Sequence, residues 1–507
     1  MPGDEFIERK ICIGLIVDDE FARQVLTIWD GRFLESPTAR IICGWCVDYA
    51  KQYDRAPGRD IEGIYSEKIK GLSKENAEWI EDILNSLDEE WDQEKHTDYL
   101  LEQTEKYFKK RSLLLLSEDL RIEAENGDIA EAEKVASAFL PVSRPDAGSI
   151  DPFTDSACVK RAFESRGEPL FTFPKALGHF WNHQLVREGF IALLAPEKRG
   201  KTFMLMEFAF RALRKGLKVV LFQAGDMSEE QMIRRMGIYL TGRSDMEKHC
   251  EPLLVPVLDC RANQTDECDH ADRECNEGVL TDPDAPLDAI INKASRELKI
   301  ESAYRPCHNC PNIKGSPWYK IRPSVPALTW KDAYKALKEF RKKYPAGKLK
   351  LSTYPNETLT VQQIRVLISQ WKSQEGFQPD VIIIDYADLL APDPDINRMD
   401  FRHQQNRIWQ RMRALSQQER CLLITATQAD ARSYDQETLN LTNFSEDKRK
   451  LAHVTAMYGL NQTMEEKRAG VIRINELIVR DDAFDSDRTV KVLQSLPCGR
   501  PCIGSYF

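Results

Sequence analysis

The sequence lacks any segment that predicts membrane insertion or export. No apolar run approaches the ~18–20 residues that a helix needs to cross a bilayer. Residues 1–10 also lack the basic and then apolar layout of a secretory signal peptide. We therefore expect a cytoplasmic protein, or one in the host cytoplasm if the chain is viral. In that reducing compartment the 13 cysteines argue against a disulfide framework.

Excess positive charge, internal repeats and low-complexity segments are absent as well. The formal net charge is −10, which by itself gives no indication of nucleic-acid binding. A ring with an acidic outer surface and basic loops in its channel has the same total, so this charge excludes little. With 507 residues, 42% hydrophobic and 30% charged, the composition is that of an ordinary globular protein of two or three domains.

Apolar spacing divides the chain into a helical first part and an alternating second part. Residues 1–140 show helical periodicity and predict an all-α N-terminal domain, with a helical hairpin that turns at Asn126-Gly127. The turn-rich residues 141–149 predict a linker, which we extend over 141–170 to include one linker helix.

Residues 171–507 predict an α/β domain. Four short apolar runs alternate with helical segments, the pattern of a buried and mostly parallel sheet. These runs are Phe190–Leu194, Lys218–Phe222, Val381–Ile384 and Cys421–Thr425. Residues 245–350 interrupt the alternation with a stretch rich in Cys, Pro, Asp and Asn, which predicts an insertion.

A phosphate-binding loop follows the first of these runs. Gly200-Lys201-Thr202 stands between a predicted strand and a predicted helix, where backbone N–H groups bind phosphates. In such a loop Lys201 reaches the β/γ oxygens of ATP and Thr202 binds Mg²⁺. Ala195 replaces the usual first glycine of the motif. The candidate nucleotide-binding residues of this loop are Ala195, Glu197, Lys198, Arg199, Gly200, Lys201 and Thr202.

Three polar residues follow the other predicted strands. Asp385 ends the run Val381–Ile384, where a carboxylate can hold the metal through water. Asp226 follows the second strand and is the candidate general base, while Ser228 and Gln231 form a predicted capping box behind it. Gln428 ends the last predicted strand, Leu422–Gln428, and is a candidate sensor of the γ-phosphate or the nucleic acid.

Five of the 13 cysteines fall between residues 260 and 310. Cys307 and Cys310 have the spacing that lets one turn supply two ligands to a tetrahedral Zn²⁺. Cys260 and Cys268 complete a predicted structural site, with Cys275 or His270 as alternative ligands. A redox pair or free thiols are the other interpretations.

These motifs together resemble the DnaB-type replicative helicases, in a phage-like form with a cysteine-rich insertion. The segments that carry the resemblance are Asp226–Gln231, Val381–Leu390 (VIIIDYADLL), Thr425–Arg432, Phe6–Leu26 and Tyr107–Leu113. Asp226 stands where the family has its catalytic Glu, and members often carry Ala at the position of Ala195. The resemblance implies a RecA-like motor, hexameric rings with ATP bound between subunits, and 5′→3′ translocation on single-stranded DNA.

The resemblance also assigns roles outside the phosphate loop. Arg480 falls where the family places a basic finger that reaches the γ-phosphate of the neighbouring subunit. The family's second basic residue there is Asp482 in this chain, which leaves Arg480 alone or with Arg488. Primase and a helicase loader are the implied partners.

DNA contacts are expected from two basic segments that would face the channel of a ring. Arg398 and Arg402 lie in the first and Lys448 in the second, and such clusters suit phosphate contacts. Arg407, Arg411 and Arg413 are equally typical of a solvated helix face.

Two other functions compete with the helicase. A RecA-like ATPase that acts as a recombination mediator or a regulator would share the motor, but such relatives generally lack the helical N-terminal domain. A loading scaffold with weak ATPase activity is the third possibility, because Asp226 and Asp482 depart from the family pattern. In each case we expect a ring, in which the apolar Phe153, Val159 and Phe163 of residues 151–164 pack on a neighbouring subunit.

Overall fold

The structure is a computed structural model of the chain. It describes residues 2–69, 74–91, 97–127, 156–164, 167–310, 314–430, 438–440, 448–480 and 488–507, together with positions 131–132, 135–136, 139, 142, 153 and 485. The predicted second helix of the hairpin and the linker 141–149 fall largely outside these residues. Two compact units are present, residues 1–164 and 165–507.

The first unit is helical, as predicted. Its helices are α1 (Pro2–Val17), α2 (Asp19–Leu26), α3 (Pro37–Tyr53), α4 (Asp60–Lys68), α5 (Lys74–Trp91), α6 (Thr97–Glu125) and α7 (Ser156–Glu164). Side-chain caps begin two of them, since Asp18 accepts from backbone N–H groups at the start of α2 and Ser36 does so at the start of α3. Cys12, Cys43 and Cys46 are buried in the core between α1 and α3, where they pack as small apolar side chains.

The second unit is built on a nine-stranded sheet. Its strands and those of a separate hairpin are β1 (Phe190–Ala195), β2 (Lys218–Gln223), β3 (Leu253–Cys260), β4 (Gly315–Arg322), β5 (Lys348–Thr353), β6 (Val381–Asp385), β7 (Leu422–Gln428), β8 (Ala456–Asn461), β9 (Val471–Val479), β10 (Thr489–Ser495) and β11 (Arg500–Tyr506). The helices are α8 (Lys175–Trp181), α9 (Lys201–Arg214), α10 (Glu229–Thr241), α11 (Arg261–Thr265), α12 (Leu287–Lys299), α13 (Trp330–Lys343), α14 (Val361–Glu375), α15 (Phe401–Gln418) and α16 (Met464–Ala469).

The order of strands in the large sheet is β11-β10-β9-β8-β1-β7-β6-β2-β5. Strands β8, β1, β7, β6, β2 and β5 are parallel, and β9, β10 and β11 continue the sheet in antiparallel fashion. The four apolar runs of the sequence are the central strands β1, β2, β6 and β7, with a buried core on each face. This architecture confirms the predicted α/β class. Because the carboxyl ends of parallel strands meet at one edge, the loops after β1, β2, β6 and β7 converge there.

The cysteine-rich stretch forms a small substructure of its own. Strands β3 and β4 pair as an antiparallel two-stranded sheet that is separate from the large one. Its apolar side packs with α12 against residues of α16, β9, β10 and β11. The next strand, β5, pairs with β2 in the large sheet, so it already belongs to the motor although it begins within the predicted limits 245–350.

Among the described residues, no helix combines the length and the apolar character that membrane spanning requires.

Candidate nucleotide-binding site

The phosphate loop joins β1 to α9 at the carboxyl edge of the sheet. The backbone turns through left-handed conformations at Lys198, with φ of 57°, and at Gly200, with φ of 84°. A side chain at Gly200 would be strained by that φ and would bring its Cβ within 3.3 Å of Leu496. The loop therefore directs the N–H groups at the start of α9 toward the edge, which is the geometry of an anion site.

Lys201 is held inside this loop. Its Nζ donates to the carbonyl oxygens of Ala195 and Pro196, at 2.9 and 3.1 Å. Burial lowers the pKa of Lys201, and the nearby carboxylates, of which Asp388 and Asp385 contribute most, oppose that shift. The ammonium therefore lies among carboxylates at the end of the sheet.

Asp385 ends β6 and is only 1% exposed. Burial raises the pKa of Asp385 to about 6, while a hydrogen bond from the Thr202 hydroxyl acts in the opposite direction. Among the described residues, its Oδ1 atom is buried without a hydrogen-bond partner. An unpartnered carboxylate oxygen beside a threonine hydroxyl is a donor set that suits Mg²⁺, which prefers oxygen ligands. The residues predicted to hold the metal are thus adjacent.

Asp226 lies beyond the end of β2, after a turn at Gly225 whose φ is 118°. The Asp226 side chain is exposed at the edge, and its charge acts on Lys201 and Asp385. Behind it, the predicted capping box of Ser228 and Gln231 begins α10. The cap accounts for the start of the helix, so Asp226 is left with no structural role in it.

Gln428 ends β7 in contact with the phosphate loop. Its Nε2 donates to Glu197 Oε1 at 3.1 Å, and the hydroxyl of Tyr386 lies 3.5 Å from its Oε1. The predicted sensor residue and the predicted loop are therefore brought together by the parallel pairing of β1 with β7.

The sequence analysis missed Arg235 at this edge. Its guanidinium is centred 5.1 Å from the ring centroid of Phe203, and burial lowers its pKa against the opposing charges of Asp385 and Asp226. Arg235 also lines a cavity of ≈ 750 Å³ beside the loop, whose far wall includes Leu254 and Pro256 of β3. Arg234 and Arg235 are adjacent on a polar helix, and nothing in that pattern predicts that Arg235 is partly buried.

Arg480 lies at the amino ends of the parallel strands, whereas the phosphate loop lies at their carboxyl ends. Its backbone N–H donates to Thr455, whose own N–H donates to Phe190 at the start of β1. Its exposed guanidinium donates to the carbonyl of Ala452. The alternative finger Arg488 contacts Glu476 at 3.6 Å and donates to the carbonyl of His179, and Asp482 lies outside the described residues.

The basic residues after β6 separate into two kinds. Arg398 and Arg402 are exposed and form no ion pair within the described part of the chain. Arg411 contacts the carboxylates of Asp393 and Asp395, as expected for a helix-face arginine. The other helix arginines bond within the fold, Arg407 to Gln410 and Arg413 to the carbonyl of Glu188.

In the second basic segment the side chain of Lys448 lies outside the described residues. Lys450, two residues further along the chain, is 1% exposed and donates to Asp388 Oδ1 at 2.7 Å. That lysine is therefore part of the interior and unavailable to a nucleic-acid phosphate.

The zinc prediction is not supported. In the ranges that the structure describes, no group of three or more His, Cys, Asp or Glu side chains is placed to hold a metal. The proposed ligands Cys260, Cys268, Cys307 and Cys310, and the alternatives Cys275 and His270, are all described residues. The spacing of Cys307 and Cys310 in the sequence suits two ligands of one metal ion. A metal site, however, requires all four ligand side chains to converge in space.

A buried carboxylate organises this substructure instead. Asp259 of β3 accepts five hydrogen bonds, three on Oδ1 and two on Oδ2. The donors are the backbone N–H groups of Cys260 and Cys307 and the side chains of Asn263, Gln264 and Tyr304. Burial raises the pKa of Asp259, and these hydrogen bonds oppose the shift.

Comparison with solved structures bears on the fold. A DnaB-like replicative helicase, described together with its interactions with primase, superimposes with a TM-score of 0.52 at 12% identity over 95% of this chain and 98% of that one. The ATPase domain of a second helicase matches with a TM-score of 0.43 at 13% identity, over 70% of this chain and 98% of that one. No protein-family model and no curated protein sequence matches the chain.

At this level of identity the first comparison shows the fold, and it confirms the resemblance to DnaB-type helicases at that level. The chain has the RecA-like α/β fold of a DnaB-like replicative helicase, with a helical region before it. Neither zinc nor a viral origin receives support from the comparisons.

Proposed function

We propose that the chain is an ATP-dependent DNA helicase of the DnaB type, which assembles as a hexameric ring and translocates on single-stranded DNA. The observation that carries the proposal is the convergence of Lys201, Thr202, Asp385, Asp226 and Gln428 at one edge of a parallel sheet. The fold shared with a DnaB-like helicase supports it. The 5′→3′ polarity follows from the family resemblance alone.

Each residue at the edge has a distinct task in ATP hydrolysis. The N–H groups at the start of α9 and the Lys201 ammonium bind the β- and γ-phosphates and offset the charge that develops on them. Thr202 and Asp385 would hold Mg²⁺, which would supply positive charge that neutralises part of the charge of the phosphates. Asp226 orients and deprotonates the attacking water, and Gln428 responds to the γ-phosphate.

The position of Arg480 supports a site that is shared between subunits. The five residue steps of β1, from Phe190 to Ala195, separate the Arg480 edge from the phosphate loop by about 17 Å, at ~3.3 Å for each step. That distance is beyond the reach of one arginine side chain within a subunit. Arg480 acts as the finger on the ATP of the neighbouring subunit.

Exposed apolar residues support assembly, because Val159 and Phe163 of α7 are 38% and 76% exposed. Large apolar side chains on one short helix are typical of a surface that another chain covers.

Arg398, Arg402 and Lys448 contact the phosphates of single-stranded DNA, which gives affinity without sequence preference. Primase and a loader are the partners that the DnaB resemblance suggests.

A forked-DNA unwinding assay with ATP and Mg²⁺ tests the function, with the Lys201→Ala variant as the inactive control. We expect unwinding by the wild type and none by the variant. ATP hydrolysis stimulated by single-stranded DNA without unwinding would instead favour a regulatory or recombination-mediator ATPase. Absence of both would overturn the proposal.

Mixing two inactive variants tests the shared site. Arg480→Ala subunits retain an intact phosphate loop, and Lys201→Ala subunits retain an intact finger. In rings that exchange subunits, some interfaces then combine both intact parts, so part of the ATPase activity should return. Activity that remains at the sum of the two proteins, when labelled subunits are seen to exchange, would exclude Arg480 as a finger.

A further inference from the structure

One short helix contacts three parts of the motor that the proposed function keeps separate. We call the 3₁₀ segment Lys448–Ala452, which precedes β8, the connecting helix. Its contacts, made by Arg449, Lys450 and Ala452, lead to three different regions of the motor.

The first contact leads to the subunit's own phosphate site. Lys450 Nζ lies 2.7 Å from Asp388 Oδ1, and the other oxygen of Asp388 accepts from the Gln428 backbone N–H at 2.9 Å. Thr427 completes the group, since its hydroxyl donates to Asp388 Oδ2 at 2.8 Å. Gln428 in turn contacts Glu197 of the phosphate loop. A change in the position of Gln428 therefore acts on a buried ion pair, whose geometry is tightly constrained.

The second contact leads to the opposite edge of the sheet. The carbonyl of Ala452, the last residue of the connecting helix, accepts from the guanidinium of Arg480. The proposed finger therefore rests on the same helix that Lys450 anchors at the phosphate site.

The third contact leads to the basic face of α15. Arg449 Nη1 lies 3.2 Å from His403 Nδ1, next to the exposed Arg402. Lys450 Nζ lies 5.5 Å from the centroid of the Trp409 ring on the same helix. The connecting helix thus touches the element that carries a proposed DNA contact.

We propose that Lys450 is a positioning residue, which through Asp388 couples the phosphate site of one subunit to its DNA-binding segments and to the finger that it extends to the next subunit. The inference rests on the proposed function and deepens it. Lys450 touches neither nucleotide nor DNA in this scheme. It acts by fixing the connecting helix relative to Gln428.

The test compares ATP hydrolysis with and without saturating oligothymidylate. In Lys450→Met the methionine fills the space without the charge, and the conservative control Lys450→Arg keeps the charge. We expect Lys450→Met to bind nucleotide and to hydrolyse ATP at the basal rate, while stimulation by oligothymidylate falls about tenfold, as for a coupling of ordinary strength. Lys450→Arg should restore most of the stimulation.

A second variant keeps the test decisive if Lys450→Met leaves Asp388 unpaired and fails to fold. The double variant Asp388→Asn/Lys450→Met removes both charges, which a buried site tolerates better than the loss of one partner. Its matched control, Lys350→Met/Glu375→Gln, removes an ion pair of 2.7 Å elsewhere in the same unit and should retain full stimulation.

Three outcomes are distinguished. Normal stimulation in a folded Lys450→Met or double variant overturns the inference. A loss of stimulation that is matched by an equal loss of oligothymidylate affinity also overturns it, because Lys450 would then act as a DNA contact. If wild-type protein is not stimulated at all, the proposed function itself fails, and that result is independent of any variant.

Discussion

Asp385 in the large sheet and Asp259 in the cysteine-rich hairpin are buried aspartates of the same unit. They differ in the hydrogen bonds that their carboxyl oxygens accept. Burial raises the pKa of both carboxyls. Asp259 accepts five hydrogen bonds, whereas Asp385 Oδ1 has no partner among the described residues. A carboxylate whose oxygens are all satisfied stabilises the fold, while one left unsatisfied beside a phosphate loop is available to a ligand. Asp259 is therefore a structural carboxyl, and Asp385 is a candidate metal ligand.

The largest effect should follow from Asp385→Asn, measured as ATP turnover with Mg²⁺. The amide removes the charge that holds the metal, so kcat should fall by at least about 100-fold. Asp259→Asn is the matched control and should change kcat by less than about threefold in folded protein, since it contacts only the hairpin region. Equal losses of kcat in the two variants would contradict the distinction between Asp385 as a metal ligand and Asp259 as a structural carboxyl.

Next in size is the loss of stability in Asp259→Asn. The amide nitrogen cannot accept the donors that meet one carboxylate oxygen, so the free energy of unfolding should fall by roughly 2–3 kcal/mol in urea titrations. The control is Asp284→Asn, which removes an exposed partner of Arg261 and should cost less than about 0.5 kcal/mol. A loss at Asp259 no larger than at Asp284 would mean that the hydrogen bonds do not organise the substructure.

The same Asp385→Asn substitution should make the nucleotide-free protein more stable. The folded pKa of Asp385 is about 6 against an ordinary value of 3.8, so the folded state binds the proton more tightly. Its contribution is fully present below pH 3.8 and is lost as the pH rises through about 6, which costs on the order of 3 kcal/mol at pH 7. The variant avoids that cost.

The gain in unfolding free energy should therefore be absent at pH 3.5–4 and complete at pH 7, when measured without Mg²⁺ or nucleotide, in the pH window set by the Asp385 shift. If the variant is no more stable than wild type at pH 7, neighbouring positive charges already compensate the buried carboxylate.

The smallest effect is expected for Cys310→Ser. Its side chain is only partly buried and outside the Asp259 hydrogen bonds, so the free energy of unfolding should change by less than about 0.5 kcal/mol. A metal ligand would behave differently, because loss of one thiolate from a structural site costs several kcal/mol. A cost as large as that of Asp259→Asn would therefore revive a metal-dependent explanation of this region.

The central strands and one helix cap were predictable from the sequence, whereas the surroundings of the cysteines were not. The apolar runs gave β1, β2, β6 and β7, because a strand buried on both faces leaves a continuous hydrophobic pattern. The residue after each run could then be placed at one edge without knowledge of side-chain geometry. The capping box at Ser228 was equally local, since both of its hydrogen bonds lie within four residues.

The cysteine cluster led to an unsupported prediction of a zinc site. Cysteine spacing is a local property of the sequence, whereas metal binding depends on the convergence of distant residues. Residues 261–306 separate Cys260 from Cys307, and nothing in their order specifies whether the two thiols converge. No motif identifies Asp259, because two of its five donors, Tyr304 and Cys307, lie more than 40 residues further along the chain.

The sequence by itself determined the α/β class and the central strands, and it predicted the phosphate loop and the strand-end residues around it, because periodicity, caps and short motifs act over a few neighbouring residues. Only the tertiary structure decided that Lys450 is buried against Asp388, that Arg480 lies at the far edge from the loop, and that Arg235 borders the site. Burial and pairing of a charge depend on segments distant in the chain, and a charged residue has the same one-letter code whether it is solvated or enclosed.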